Sequence, residues 1–78
     1  MDYYTLHKDE KTKKWRLEKE GSNRAIRTYD TKAEGVSDLP RRFNNSNAGA
    51  SVQIRKLDGR IQEERTYPGS KDPRASLG

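Results

Sequence analysis

The sequence predicts an α+β fold, an antiparallel sheet in the order β-β-β-α-β-β with one kinked helix packed on one face. Three observations predict it. Apolar residues alternate with polar ones in "YYTLH", "WRLEK" and "SVQIR", the period of a half-buried strand. Between them, Ala33, Val36, Leu39 and Phe43 are spaced by three or four, as one helix face requires. Glycine-bearing pairs at Gly21-Ser22 and Asp58-Gly59 supply hairpin turns on either side of that helix.

Residues 3 to 7 form the first strand, with Tyr4 and Leu6 on one side and Tyr3, Thr5 and His7 on the other. "KDEKTKK" follows with no apolar residue and reads as an exposed connection. Trp15 and Leu17 then alternate with Arg16 and Glu18. A turn at Gly21-Ser22, or a four-residue loop from Glu20 to Asn23, pairs Leu17 with Ile26 and Trp15 with Thr28. The same register sets Arg16 opposite Arg27 and Glu18 opposite Ala25 on the other face.

Thr31 and Glu34 match a capping box, and Asp30 adds negative charge near the positive end of the helix they open. Gly35 and Pro40 oppose that helix, at roughly 1 and 3 kcal/mol relative to alanine. A kink or break is therefore expected near Pro40, with Ser37 or Asp38 able to cap a second short turn. "NNSNAGA" reads as a loop. In the last hairpin a two-residue turn at Asp58-Gly59 pairs Lys56 with Ile61 and Ile54 with Glu63, whereas a three-residue loop through Arg60 pairs Arg55 with Glu63. The first is preferred because it keeps Val52, Ile54 and Ile61 together.

The strand after Asp58-Gly59 has little to bury and reads as a sheet edge whose charges discourage pairing with other chains. The expected core is Tyr4, Leu6, Trp15, Leu17, Ile26, Val36, Leu39, Phe43, Val52, Ile54 and Ile61, centred on Trp15. Residues 1–67 make one small domain, and residues 68–78 have the composition of a disordered tail.

At 78 residues the chain holds one domain, and its core must be thin. Apolar residues are 28% of the chain and charged residues 37%, so each large hydrophobe is committed to packing. There is no cysteine, hence no disulfide or thiolate metal site. No apolar run approaches a membrane span and no signal-peptide pattern opens the chain, which makes a cytoplasmic protein the expectation. The net charge of +5 comes from 17 Lys and Arg against 12 Asp and Glu. Such a bias favours an anionic partner without identifying it.

"WRLEKEGSNRA", "YDTKAEG" and "DGRIQEERTY", in this order and at these separations, resemble the small bacterial and phage domain-of-unknown-function family DUF2188. The resemblance covers roughly residues 3 to 67 and departs from the family pattern at Gly35, where alanine is usual, and at Pro40. It implies the same order of strands and helix, and no activity or functional residue. Its phage members make an accessory or inhibitor protein conceivable.

No catalytic constellation assembles from the sequence. His7 is the sole histidine and lacks a nucleophile or companions for a metal. Glu63 and Glu64 are adjacent on a strand and point to opposite faces. Asp58 has a sufficient reason to be in a turn. Neither an enzyme nor a cofactor nor a small-molecule substrate is expected.

What remains is a surface. With Leu17 and Ile26 facing the helix, the opposite face presents Tyr3, Thr5, His7, Arg16, Arg27, Tyr29, Gln53 and Arg55. Lys8, Lys11, Lys13 and Lys14 in the first loop lie beside it. Arginine forks contact phosphates, tyrosines stack on unpaired bases and lysines grip the backbone. Arg16, Arg27, Tyr29, Arg55, Tyr3, Lys13 and Lys14 are thus the candidate contacts of a noncatalytic module binding nucleic acid. The bland alternative is a solvated face in which Glu18, Glu20 and Glu64 offset the arginines. The competing class is a protein-interaction module or inhibitor, using the same face or adding a strand along an unpaired margin at Glu63 to Tyr67 or at Tyr3 to His7.

Overall fold

The computed structural model describes residues 1–22, 24–44 and 49–67. The expected tail at 68–78, most of the "NNSNAGA" loop and Asn23 lie outside the described residues. Five strands and one helix follow in the expected order: β1 (Asp2–Lys8), β2 (Trp15–Lys19), β3 (Ala25–Tyr29), α1 (Lys32–Phe43), β4 (Ala50–Arg55) and β5 (Ile61–Tyr67).

The strands form one sheet in the order β3-β2-β1-β4-β5. It is mixed, not purely antiparallel: β1 and β4 run parallel, with Tyr4 beside Val52 and Leu6 beside Ile54. The reason is the helix. β3 delivers the chain to the end of the sheet where β1 finishes, and α1 carries it back across the face. β4 therefore starts where β1 starts and must run the same way. This puts β1 at the centre, so the margin expected at Tyr3 to His7 does not exist; the edges are β3 and β5.

The helix begins as its sequence dictates. Thr31 is the N-cap, its hydroxyl accepting from the Glu34 amide at 3.1 Å, and the Glu34 carboxylate accepts from the Asp30 amide at 3.2 Å. The break allowed for at Pro40 is absent. One helix runs from Lys32 to Phe43, and the Asn44 amide donates to the Pro40 carbonyl at 2.9 Å. Ser37 caps nothing; its hydroxyl donates to the Glu34 carbonyl within the helix at 3.1 Å. Burial of Leu39 and Phe43 on either side of Pro40 outweighs the hydrogen bond that the proline forfeits.

Gly35 is buried against the sheet, where a Cβ would lie 3.0 and 3.1 Å from the two Leu6 methyls and 3.2 Å from the Tyr29 ring. Its lack of a side chain sets how closely α1 approaches β1 and β3.

The core joins Leu6, Trp15, Leu17, Leu39, Phe43, Val52 and Ile54 with Tyr29, Ala50 and Tyr67. Tyr4 and Val36 pack against it, and the Tyr4 and Phe43 ring centroids are 4.6 Å apart. Two expected members are not in it: Ile26 is 45% exposed and Ile61 50%. Both errors have one cause, an extra residue in a strand. Glu18 pairs with Ala25 as expected, but the register then shifts, so that Leu17 faces Arg27, Arg16 faces Thr28 and Trp15 faces Tyr29. A bulge at Ile26 thus turns the rest of β3 over, exchanging Thr28 for Tyr29 on the buried side.

In the last hairpin Ile54 does face Glu63, while Arg55 faces Ile61, with Gln62 as the extra residue. The loop is neither of those expected. It comprises Leu57, Asp58 and Gly59, closed by Gly59 N to Lys56 O at 3.0 Å and Lys56 N to Arg60 O at 2.7 Å, with Gly59 at φ +89°.

Candidate functional site

The open face of the sheet is built from alternate residues of the inner strands. The β1 residues Tyr3, Thr5 and His7 lie beside Arg16 and Glu18 of β2, Ser51 and Gln53 of β4 and, one strand further, Glu64. Arg55 extends the row. Of the candidate contacts, this face gathers Tyr3, Arg16 and Arg55. It does not gather Arg27 and Tyr29, which the bulge places on the helix side.

Its guanidinium groups are already engaged. Arg16 is 3.4 Å from the Asp9 carboxylate and 3.7 Å from that of Glu18, and Glu18 also bonds the His7 imidazole. Arg55 donates to the Gly59 carbonyl at 2.8 Å and to Gln53 Oε1 at 3.2 Å. Ser51 donates to Glu64 at 2.7 Å. Two arginines against Glu18 and Glu64 leave this face close to neutral, whereas Tyr3, 52% exposed, is free to stack.

On the helix side, Tyr29 is 7% exposed and its hydroxyl donates to Asp38 Oδ2 at 2.6 Å. Arg42 Nε donates to the same oxygen at 3.1 Å, and the Arg27 guanidinium lies 5.8 Å from the Tyr29 ring centroid. Burial, reinforced by Asp38, pushes the Tyr29 hydroxyl up to about 12. The Tyr29 hydrogen bond, aided by Arg42, holds the Asp38 carboxyl below its ordinary value. Tyr29 is therefore a fastener between β3 and α1 and has no exposed ring to offer a base.

Positive charge collects instead at one end of the sheet. β1 finishes there, β2 starts, β3 delivers the chain to the helix N-terminus, and β4 turns into β5. The segments 8–14, 30–32 and 56–60 carry seven cations, Lys8, Lys11, Lys13, Lys14, Lys32, Lys56 and Arg60, against Asp9, Glu10, Asp30 and Asp58. That is an excess of three. The other described residues are near balance, with eight cations against seven carboxylates.

Asp9 organises the first of these segments. Its carboxylate accepts from the Lys11 amide at 2.9 Å, its carbonyl accepts from the Lys13 amide at 2.8 Å, and its own amide donates to the Lys14 carbonyl at 2.8 Å. The Lys11 amide is the chief reason its carboxyl sits below the ordinary value. Lys13 takes a left-handed conformation, φ +63°, to close the loop. Lys14 pairs with Asp30 at 2.8 Å, and its ammonium is held above its ordinary value by that hydrogen bond. Lys11 and Lys56 are exposed and make no ion pair among the described residues.

Sequence reasoning placed Lys13 and Lys14 correctly in an exposed basic loop, but missed Lys32, Lys56 and Arg60. The alternating directions of the strands were the signal for these three, because they send three separate connections to one end. Among the described residues no group of three His, Asp or Glu side chains could hold a metal, and no helix is long and apolar enough to cross a membrane.

No curated protein and no solved structure matches the chain. A family model described as an uncharacterized protein conserved in bacteria matches residues 3–67, from the first residues of β1 to the last of β5. The motifs quoted from the sequence mark the Trp15 strand, the capped start of α1 and the Asp58-Gly59 hairpin; they and this match make the chain a member of the DUF2188 family.

Proposed function

We propose that the chain is a small noncatalytic module of the bacterial cytoplasm, in the manner of an accessory protein, that contacts nucleic acid through the basic end of its sheet. The observation that supports this reading is the convergence of seven cations from three connections, with an excess of three over the carboxylates among them. A cluster of that kind attracts a polyanion at long range and releases its counterions on contact. Lys11, Lys13 and Lys56 make the phosphate contacts, and Arg55 and Tyr3 border them on the open face. Arg16 is committed to Asp9 and Glu18 and serves the loop.

The test is retention on duplex DNA as a function of salt. The native chain is expected to show a log-log slope near −0.9 for each phosphate neutralised. The pair Lys11→Glu and Lys56→Glu, both exposed, should lower the slope by about two and weaken binding about tenfold or more, without moving the melting temperature. Unchanged retention in a folded double variant would sink the reading.

A second reading has one observation in its favour: β5 is an open edge, along which a protein partner can add a strand. Binding of that kind depends little on salt and ignores the Lys11 and Lys56 changes.

A further inference from the structure

Beside the basic end lies an apolar notch of about 550 Å³, lined by Trp15, Lys32, Lys56, Leu57, Asp58 and Gln62. We infer that this notch receives an unpaired base, so that the nucleic acid recognised is single-stranded. The inference rests on the nucleic-acid reading above and names the form of the ligand.

Leu57 stands in the loop of a hairpin closed by backbone hydrogen bonds, by the Asp58 and Arg55 side chains and by Gly59 at positive φ. None of these uses the leucine side chain, and the residue is 66% exposed. The leucine therefore does nothing for the fold that a polar residue would not do. Trp15 is 6% exposed and forms the floor. Lys32 lies with its ammonium 5.7 Å from the indole centroid and bonded to Gln62 Oε1, so its stem forms a wall and the Gln62 amide nitrogen keeps its donors.

The notch is thus apolar within and is lined by two lysines, Lys32 and Lys56. An acidic peptide would meet the lysines, but its carboxylate side chains bring no flat apolar face to the notch. An unpaired nucleotide satisfies both features. Its base has an apolar face for Leu57 and hydrogen-bonding edges for Gln62 and Asp58, and its flanking phosphates meet the lysines. A duplex cannot enter, because its bases are stacked and paired.

Trp15 is the only tryptophan, which gives the notch its own reporter. The full chain would be titrated with a short oligothymidylate and with the same strand paired to oligoadenylate, following tryptophan emission and, separately, anisotropy of labelled DNA. The expected result is tighter binding of the single strand, a change in Trp15 emission with that strand alone, and loss of about tenfold in its affinity on Leu57→Ala. Duplex binding should change less than about twofold in that variant, since the lysines remain.

Salt-dependent binding of both forms, with unchanged emission and indifference to Leu57→Ala, overturns the notch and leaves the basic end standing. If neither DNA binds, both the notch and the basic end are overturned.

Discussion

Tyr29 carries more of the fold than its place on an edge strand suggests, because one hydroxyl joins β3 to α1 through Asp38, and Arg42 completes the link. Replacing it with phenylalanine removes a hydrogen bond to a charged group, expected to cost about 1.5 to 3 kcal/mol near neutral pH. Alkaline pH provides a second readout. The folded-state value is raised to about 12 from an ordinary 10.0. Below pH 10 both states keep the proton and the stabilisation is complete. Between 10 and about 12 the unfolded chain releases it while the native chain holds it, so stability falls as pH rises, by roughly 1.4 kcal/mol per unit. Denaturant unfolding of the native chain and of Tyr29→Phe across this range should show a difference that shrinks with rising pH. A constant difference would mean that the hydroxyl titrates alike in both states. Asp38 behaves oppositely: its depressed value makes its contribution complete at neutral pH and lost on acidification, as pH falls below the ordinary 3.8 through the folded value. None of this was legible in the sequence, because alternation set Tyr29 on the open face. Parity is all that alternation conveys, and one bulge at Ile26 reverses it.

At the scale of elements, α1 is where local preference and packing disagree most. Gly35 and Pro40 both read as breakers, and both stand within an unbroken helix. Gly35 has a tertiary reason, the 3.0 to 3.2 Å that would separate a Cβ from Leu6 and Tyr29. No sequence pattern shows which side chains will lie beneath a helix, so the glycine could be recognised only as a weakness. Pro40, half-buried in the same helix, weakens it through its own backbone. Its nitrogen cannot donate to the Val36 carbonyl, and its ring crowds it. Pro40→Ala restores that bond, and is expected to raise stability by about 1 to 3 kcal/mol and the melting temperature by roughly 5 to 20 °C. Calorimetry decides: a variant that melts at or below the native temperature would mean that the proline's restriction of the unfolded chain outweighs its cost in the helix. The capped start, by contrast, was plain from Thr31 and Glu34, since capping depends on residues close in sequence.

For the whole molecule, the parallel pairing of β1 with β4 was implicit in the order of elements. Three antiparallel strands leave two edges that run the same way. A helix of 12 residues, about 18 Å long, returns the chain by the length of a strand, so a fourth strand on either edge must be parallel to it. What the order could not decide was which edge. β4 joins β1, and this brings the Lys56 hairpin beside the Lys11 loop and leaves β5 as a margin with unpaired backbone groups. Its charges then matter for solubility. Glu63 and Arg65 bond one another at 3.2 Å on the helix side of β5, opposite Ile54 and Val52. Changing both to valine lengthens the apolar row and strips the edge of what deters another chain from pairing with it. The pair should leave the net charge as it is, so any new association reflects the edge and not the overall field. Sedimentation velocity across a concentration series is expected to show a weight-average mass that rises with concentration in the double variant and exceeds that of the native chain throughout. Identical masses would show that the edge is protected by its twist and bulge alone, and strand addition along β5 would lose its only physical support.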